Sequence, residues 1–225
     1  MSEQRPPAIL VATLNLRNNS DRWDERAPLL VAQFVALRPD VIGLQEVRRP
    51  IDQAEWIAER VNAQLAGEPP YQVFQTNKTG LAGLVEGIAV LSRLPLLERE
   101  WLDLGGGSRV AQRARIRLPD GRVLDFYNTH LHHPAEDEPL RTEQARRLLA
   151  WLAERPDVPQ VLVGDFNAGP DAPSVRLIRE RLRSAYAAVH GREPPATFPT
   201  PLSREWGEFS VVIDYIFVND LVTVH

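Results

Sequence analysis

The apolar run Gln160-Val161-Leu162-Val163 ends in Gly164-Asp165-Phe166-Asn167. A short apolar run closed by turn formers reads as a buried strand. Asp165 and Asn167, two residues apart at its end, are aimed to one side of the sheet. A carboxylate and an amide at that spacing can share one water, the carboxylate taking its proton and the amide holding its oxygen. An Asx-type turn into Gly169-Pro170 accounts for the same residues, and such a turn also presents a side chain rigidly. The device recurs along the chain. Thr13-Leu14-Asn15, Leu44-Gln45-Glu46-Val47 and Asn128-Thr129-His130-Leu131 each place polar residues at the end of an apolar strand. In Ile213-Asp214-Tyr215-Ile216 an Asp sits between strand residues. Any fold for this chain must accommodate polar side chains at the ends of its strands.

Between these runs the pattern alternates. Ile9 to Leu16 and Val41 to Gln45 read as buried strands. Asp24 to Leu37 and Asp52 to Leu65 read as helices, the first with Leu30, Phe34 and Leu37 on one stripe. A series of strands follows over 71–76, 87–91, 96–102, 109–118 and 122–129, with Pro119-Asp120-Gly121 as a hairpin turn. Leu140 to Glu154 is an amphipathic helix with Ala145, Leu148, Leu149 and Leu152 on its apolar face. After the Asp165 strand come a helix over 174–182, a proline-rich surface loop over 191–201 and a last strand over 211–218. Two rounds of strand-helix-strand around an antiparallel middle form an architectural pseudo-repeat, satisfied by two packed sheets with helices outside.

A chain of 225 residues, 44% hydrophobic and 25% charged, fits one fairly large domain. The absence of cysteine excludes disulfides and thiolate metal sites. No N-terminal apolar stretch marks a secretory signal and no run is long enough to span a membrane, so a cytoplasmic protein is expected. Net charge is −4, with Lys78 the one lysine. That total argues against a dedicated duplex binder and leaves nucleic acid open as a partner without indicating it. Arg109, Arg113, Arg115 and Arg117 could form a local basic patch. The last three share one strand face, read as a solvated sheet face ahead of a phosphate track. Trp23, Trp101 and Trp206 are expected in core packing. Nothing in the sequence fixes an oligomeric state.

From Ile9 to about Val218 the chain resembles the endonuclease/exonuclease/phosphatase superfamily, which contains DNase I-like nucleases, neutral sphingomyelinases and inositol-polyphosphate 5-phosphatases. The five motifs around Asn15, Glu46, His130, Asp165 and Asp214 occur in that family's order. The resemblance implies a single α/β domain over 1–225: a DNase I-like four-layer sandwich of two packed mixed β-sheets with helices outside, its site at one edge of the sheets. One family motif is absent. Beyond the Asp-Tyr strand the family has a further strand ending in Ser-Asp-His, whereas this chain stops at Val224-His225. The expectation is a truncated form of a longer protein, lacking that strand and leaving one sheet edge unpaired.

Hydrolysing a phosphodiester needs charge neutralisation on the phosphoryl oxygens, an in-line water and help for the leaving oxygen. A hard cation, Mg²⁺ or Mn²⁺, answers the first need with a few carboxylates and waters. The resemblance assigns Glu46 as metal ligand, with Asn15 orienting it. It implies Asp165 as base, Asn167 as positioner of water or phosphate, and His130 as donor to a phosphoryl oxygen. Asp214 in this family orients the C-terminal histidine. Arg113, His132, His133 and Glu86 are expected to contact substrate, His132 and His133 from the cleft rim; a hairpin-turn role accounts equally for Glu86. His130 and His132 also match the spacing of binuclear zinc hydrolases, but such sites need further ligands, and only His190 and His225 remain. The expected activity is metal-dependent phosphoester hydrolysis, with nucleic acid, a phospholipid headgroup or a small phosphoester as substrate. The alternative is a catalytically impaired metal- or phosphate-binding module on the same fold.

Overall fold

The structure, a computed structural model, describes residues 8–199 and 209–225. One sheet contains β1 (Val11–Asn15), β2 (Val41–Arg48), β3 (Gln72–Asn77) and β4 (Glu86–Ser92), in the order β1-β2-β4-β3. The other contains β5 (Leu96–Asp103), β6 (Val110–Arg117), β7 (Val123–His130), β8 (Gln160–Asp165), β9 (Arg183–Ser184) and β10 (Asp214–Val218), in the order β5-β6-β7-β8-β10-β9. Each sheet is mixed, with one parallel pair, β1-β2 and β7-β8. A parallel pair needs a crossover. Helix α1 (Trp23–Leu37) supplies the first and α3 (Glu138–Leu152) the second, which is the pseudo-repeat expected from the pattern.

Burial explains the layering. Helix α1 buries Ala27, Leu30, Val31 and Phe34, the i, i+3, i+4, i+7 stripe of an amphipathic helix. Leu37, expected on that stripe, is exposed at the last turn, where Arg38 adopts a left-handed conformation and Pro39 follows. Helices α1 and α2 (Gln53–Gln64) cover the outer face of the first sheet. Helices α3 and α4 (Pro173–Arg179) cover that of the second. Between the sheets Val41, Val90, Ala114, Ile116, Phe126, Val161 and Val163 form a third apolar layer. The result is the four-layer α/β sandwich.

Several elements differ from the sequence reading. Strand β2 runs past Gln45 to Arg48 because a β-bulge between Leu44 and Val47 lets pairing with β4 resume. The last strand begins at Asp214, since the Thr197 hydroxyl accepts the N–H groups of Ile213 (3.0 Å) and Asp214 (3.1 Å), and Val211 forms an isolated bridge with Phe198. Strand β9 and helix α5 (Ala185–His190) were not anticipated; six residues are too few to show a helical period. Trp101 is 56% exposed rather than in the core, because the alternation of edge strand β5 turns it outward. Trp23 packs its ring against Trp56 at 5.8 Å, and Trp206 lies outside the described residues. Among the described residues no helix is long and apolar enough to cross a membrane.

Gly164 shows how closely the strand ends approach. Its φ is 151°, and a Cβ there would stand 2.1 Å from the Thr129 carbonyl oxygen on β7. Backbone cannot yield as a flexible side chain does, so Gly164→Ala should destabilise the protein by about 2 kcal/mol or more in a denaturant titration. Unchanged stability would contradict this packing.

Candidate active site

The strand ends carrying the motifs meet at one edge of the two sheets. Asn15 closes β1. Glu46 sits in the β2 bulge with φ 52°, a left-handed conformation that re-aims its side chain while Gln45 turns into the interior. The Asn15 amide nitrogen donates to Glu46 Oε1 (3.0 Å) and to Asp165 Oδ2 (2.9 Å). One amide thus bridges a carboxylate of the first sheet to one of the second. Its own Oδ1 accepts from the Arg17 N–H at 2.8 Å, which fixes the ring of contacts from behind.

Asp165 ends β8, and its Oδ1 accepts the Asn167 N–H at 2.8 Å. This is the Asx-type turn, with Asn167 at φ 49° and its amide donating to the Leu131 carbonyl at 3.0 Å. Asp214 lies opposite Asp165 in the β8-β10 register. Burial, helped by the Glu46 charge, pushes the Asp165 carboxyl up to about 6, against the opposing bonds from Asn15 and Asn167. Burial and the Asp165 charge push Asp214 up to about 7. Two buried carboxylates side by side titrate as a pair.

His130 ends β7 with Nε2 3.8 Å from Asp165 Oδ2, beyond hydrogen-bond reach. Burial, then the charges of Arg109, Lys78 and His133, hold it well below 6.5, so it is a neutral imidazole at pH 7. His133 lines the cavity, its Nδ1 3.2 Å from Arg109 Nη2. His132 turns away, its Nε2 2.8 Å from Asp137 Oδ2 before α3, so the paired-histidine zinc arrangement does not form. Glu86 accepts from Asn18 at 3.0 Å and pairs with Lys78 beside the cluster.

Arg113 is not brought to this edge. It is buried beneath α3, paired with Glu100 and Glu154, its guanidinium 4.7 Å from the Trp151 ring centroid. Gln112, its neighbour, faces the first sheet instead, donating to the Phe74 carbonyl at 2.8 Å. Alternation put Arg113 and Arg115 on one face correctly, but that face is the helix-covered one. Arg115 there binds Asp125 at 2.8 Å, so the expected solvated face is an ion-pair layer. Arg109, before the strand proper, goes to the cluster.

A cavity of about 860 Å³ opens on these residues. Asn15, Glu46, Asp165, Asn167 and Asp214 line it, together with the largely apolar Tyr186, Phe209, Val211 and Ile213. Among the described residues no group of three or more His, Cys, Asp or Glu side chains is placed to hold a metal ion. The donors lining the cavity are hard oxygens led by the bulge-mounted Glu46 carboxylate, the kind that hard divalent cations take together with several waters.

Residues 12–225 match the model of the Endonuclease/Exonuclease/phosphatase family. Nocturnin of Drosophila melanogaster is 30% identical over 239 residues, covering 87% of this chain. The chain spans only 35% of that relative's length. The human nocturnin catalytic domain with bound sulfate anion superposes with a TM-score of 0.76 at 24% identity, covering 92% of this chain and 80% of that one. A mannosyl-6-phosphatase of Bacteroides thetaiotaomicron superposes at 0.72 and 21% identity, covering 95% of this chain and 86% of its own. On the family match along nearly its whole length, the chain belongs to the endonuclease/exonuclease/phosphatase family, a family of phosphoester hydrolases.

Proposed function

We propose that the chain hydrolyses phosphoester bonds by in-line attack of an activated water, with Mg²⁺ or Mn²⁺ as cofactor. The observation that carries this reading is the Asn15 bridge, which sets Glu46 and Asp165 side by side on the cavity wall. Glu46 would hold the cation, with Asn15 orienting that carboxylate; the cation supplies charge neutralisation on the phosphoryl oxygens. Asp165 takes the proton of the attacking water. A carboxyl raised toward neutrality is a better base than an ordinary aspartate. Asn167, anchored to the Leu131 carbonyl, positions the water or a phosphoryl oxygen. His130, neutral, donates one ring N–H to a phosphoryl oxygen without needing a proton from solvent. Asp214 stands against Asp165, whose charge, after burial, keeps the Asp214 carboxyl raised beside the base. A bound sulfate in the human nocturnin domain supports a tetrahedral oxyanion as the recognised group.

Bis(p-nitrophenyl) phosphate hydrolysis tests the reading directly. Turnover should require Mg²⁺ or Mn²⁺, cease with EDTA, and fall by about 10²-fold or more in a folded Asp165→Ala variant. Undiminished turnover in that variant would remove Asp165 from the mechanism. Metal binding without turnover in the unsubstituted chain would favour the binding-module alternative.

The raised carboxyls also set a pH dependence of stability. Their folded pKa values lie above the unfolded ones, so the native state binds more protons between about pH 4 and about pH 7. Stability in EDTA should therefore fall as pH rises through that window. Asp214→Asn should be more stable than the unsubstituted protein at pH 8, by about 1 kcal/mol or more, with the difference closing toward pH 4. Equal differences at pH 4.5 and pH 8 in urea titrations would contradict the burial of a strained carboxyl pair.

A further inference from the structure

Arg109 is 4% exposed, and the charges of Glu86, Glu46 and Asp165 act on it only from beyond bonding distance. Among the described residues no carboxylate forms an ion pair with it, and its Nε and Nη1 have no hydrogen-bond partner. Its Nη2 lies 3.2 Å from Nδ1 of His133. The other buried arginines are treated differently. Arg113 has Glu100, Glu154 and the face of Trp151. Arg141 donates to Glu138 and to the carbonyls of His132, Pro134 and Ala135. A buried cation is ordinarily paired or multiply hydrogen-bonded, because removing it from water costs several times what a neutral contact returns.

The backbone holds Arg109 where it is. Its carbonyl accepts the Leu104 N–H at 2.9 Å and its N–H donates to Gly106 at 3.3 Å, closing the turn before β6. The nearest carboxylates are otherwise engaged: Glu86 by Lys78 and Asn18, Glu46 and Asp165 by Asn15. His133, which covers the guanidinium, itself lines the cavity. Its neutral Nδ1 is a weak acceptor for a cation compared with an anionic oxygen.

We propose that Arg109, which lies behind the cavity-lining His133, is the phosphoryl-anchoring residue here, and that His133 is a placeholder acceptor which an anionic phosphoryl oxygen displaces from Nη2. The inference rests on the phosphoester reading of the same cavity. The charges of Arg109 and Lys78 both reach His130 and His133, so an anion displacing His133 meets two cationic side chains beside a neutral imidazole. Arg109 then serves two states: a buried charge without a bonded carboxylate in the absence of substrate, and a charge-assisted hydrogen bond with it.

Inorganic phosphate in the presence of Mg²⁺ is the probe, followed by its shift of the melting temperature and by competitive inhibition of bis(p-nitrophenyl) phosphate hydrolysis. The variants are Arg109→Met, Arg109→Lys and His133→Ala. Arg109→Met should melt at the same or a higher temperature, since it removes an unpaired buried charge, and should weaken phosphate binding by about tenfold or more. Arg109→Lys should lie between the two, and His133→Ala should bind phosphate at least as tightly as the unsubstituted chain. The proposal is overturned if Arg109→Met binds phosphate normally, if His133→Ala loses phosphate as Arg109→Met does, or if the unsubstituted chain binds no phosphate. Phosphate binding that depends on Arg109 without any turnover would sustain this proposal while refuting the hydrolase reading.

Discussion

Apolar sheets packed face to face can slide, since dispersion and burial have no direction. Here a chain of buried amides crosses the interface and removes that freedom. Gln45 Nε2 donates to Asn128 Oδ1 at 2.7 Å and to Thr13 Oγ1 at 3.1 Å. Asn128 Nδ2 donates to the Leu44 and Ala89 carbonyls at 3.1 and 3.0 Å and to Gln112 Oε1 at 3.1 Å. Gln112 continues to Thr76 at 3.0 Å. A buried network of this kind fixes one relative placement, because any slip leaves several polar groups unsatisfied. Gly43 permits the closeness: a Cβ there would stand 2.4 Å from Val163 Cγ2 and 2.9 Å from Asn128 Oδ1. The ends of β1 and β2 are thereby held opposite the ends of β7 and β8, and Asn15 can reach both Glu46 and Asp165.

The same edge is where the chain departs from ordinary local rules. Glu46 and Asn167 adopt left-handed backbone conformations, two carboxyls are buried against each other, and among the described residues Arg109 Nε and Nη1 have no hydrogen-bond partner. Elsewhere buried charge is matched. Arg115 with Asp125, and Arg155 with Glu98 and Glu100, tile the face beneath α3. Left-handed backbone also occurs away from this edge, at Arg22, Arg38 and Asp52. The buried carboxyl pair and the guanidinium without a bonded carboxylate, however, fall at this one edge, as expected where function rather than folding dictates residue choice.

Much of this was legible in the chain. The strand-end motifs named Asn15, Glu46, His130, Asp165, Asn167 and Asp214, and the structure gathers all six at one sheet edge. What alternation could not supply was which face of a sheet is covered. Arg113 and Arg115 follow the period of β6 correctly, yet the helix-bearing side belongs to them and the inter-sheet side to Gln112. Arg109 stands outside that period, where only the closing turn decides its direction. The bulge that re-aims Glu46 leaves no mark in composition, and α5 is too short to show a repeat. The Trp101 misplacement has the same origin, because an edge strand exposes alternate residues whatever their polarity.

The claim that the amide network aligns the site has a direct test in Asn128→Leu. Asn128 is fully buried between the sheets and its amide is spent on Gln45, Gln112 and the Leu44 and Ala89 carbonyls, so its role is alignment rather than contact with substrate. With Mg²⁺ and bis(p-nitrophenyl) phosphate, the folded variant should lose about tenfold or more in kcat/KM, since misalignment of roughly 1 Å commonly costs more than that. A folded Asn128→Leu protein with unchanged kcat/KM would show that the two halves of the site are held together by something else.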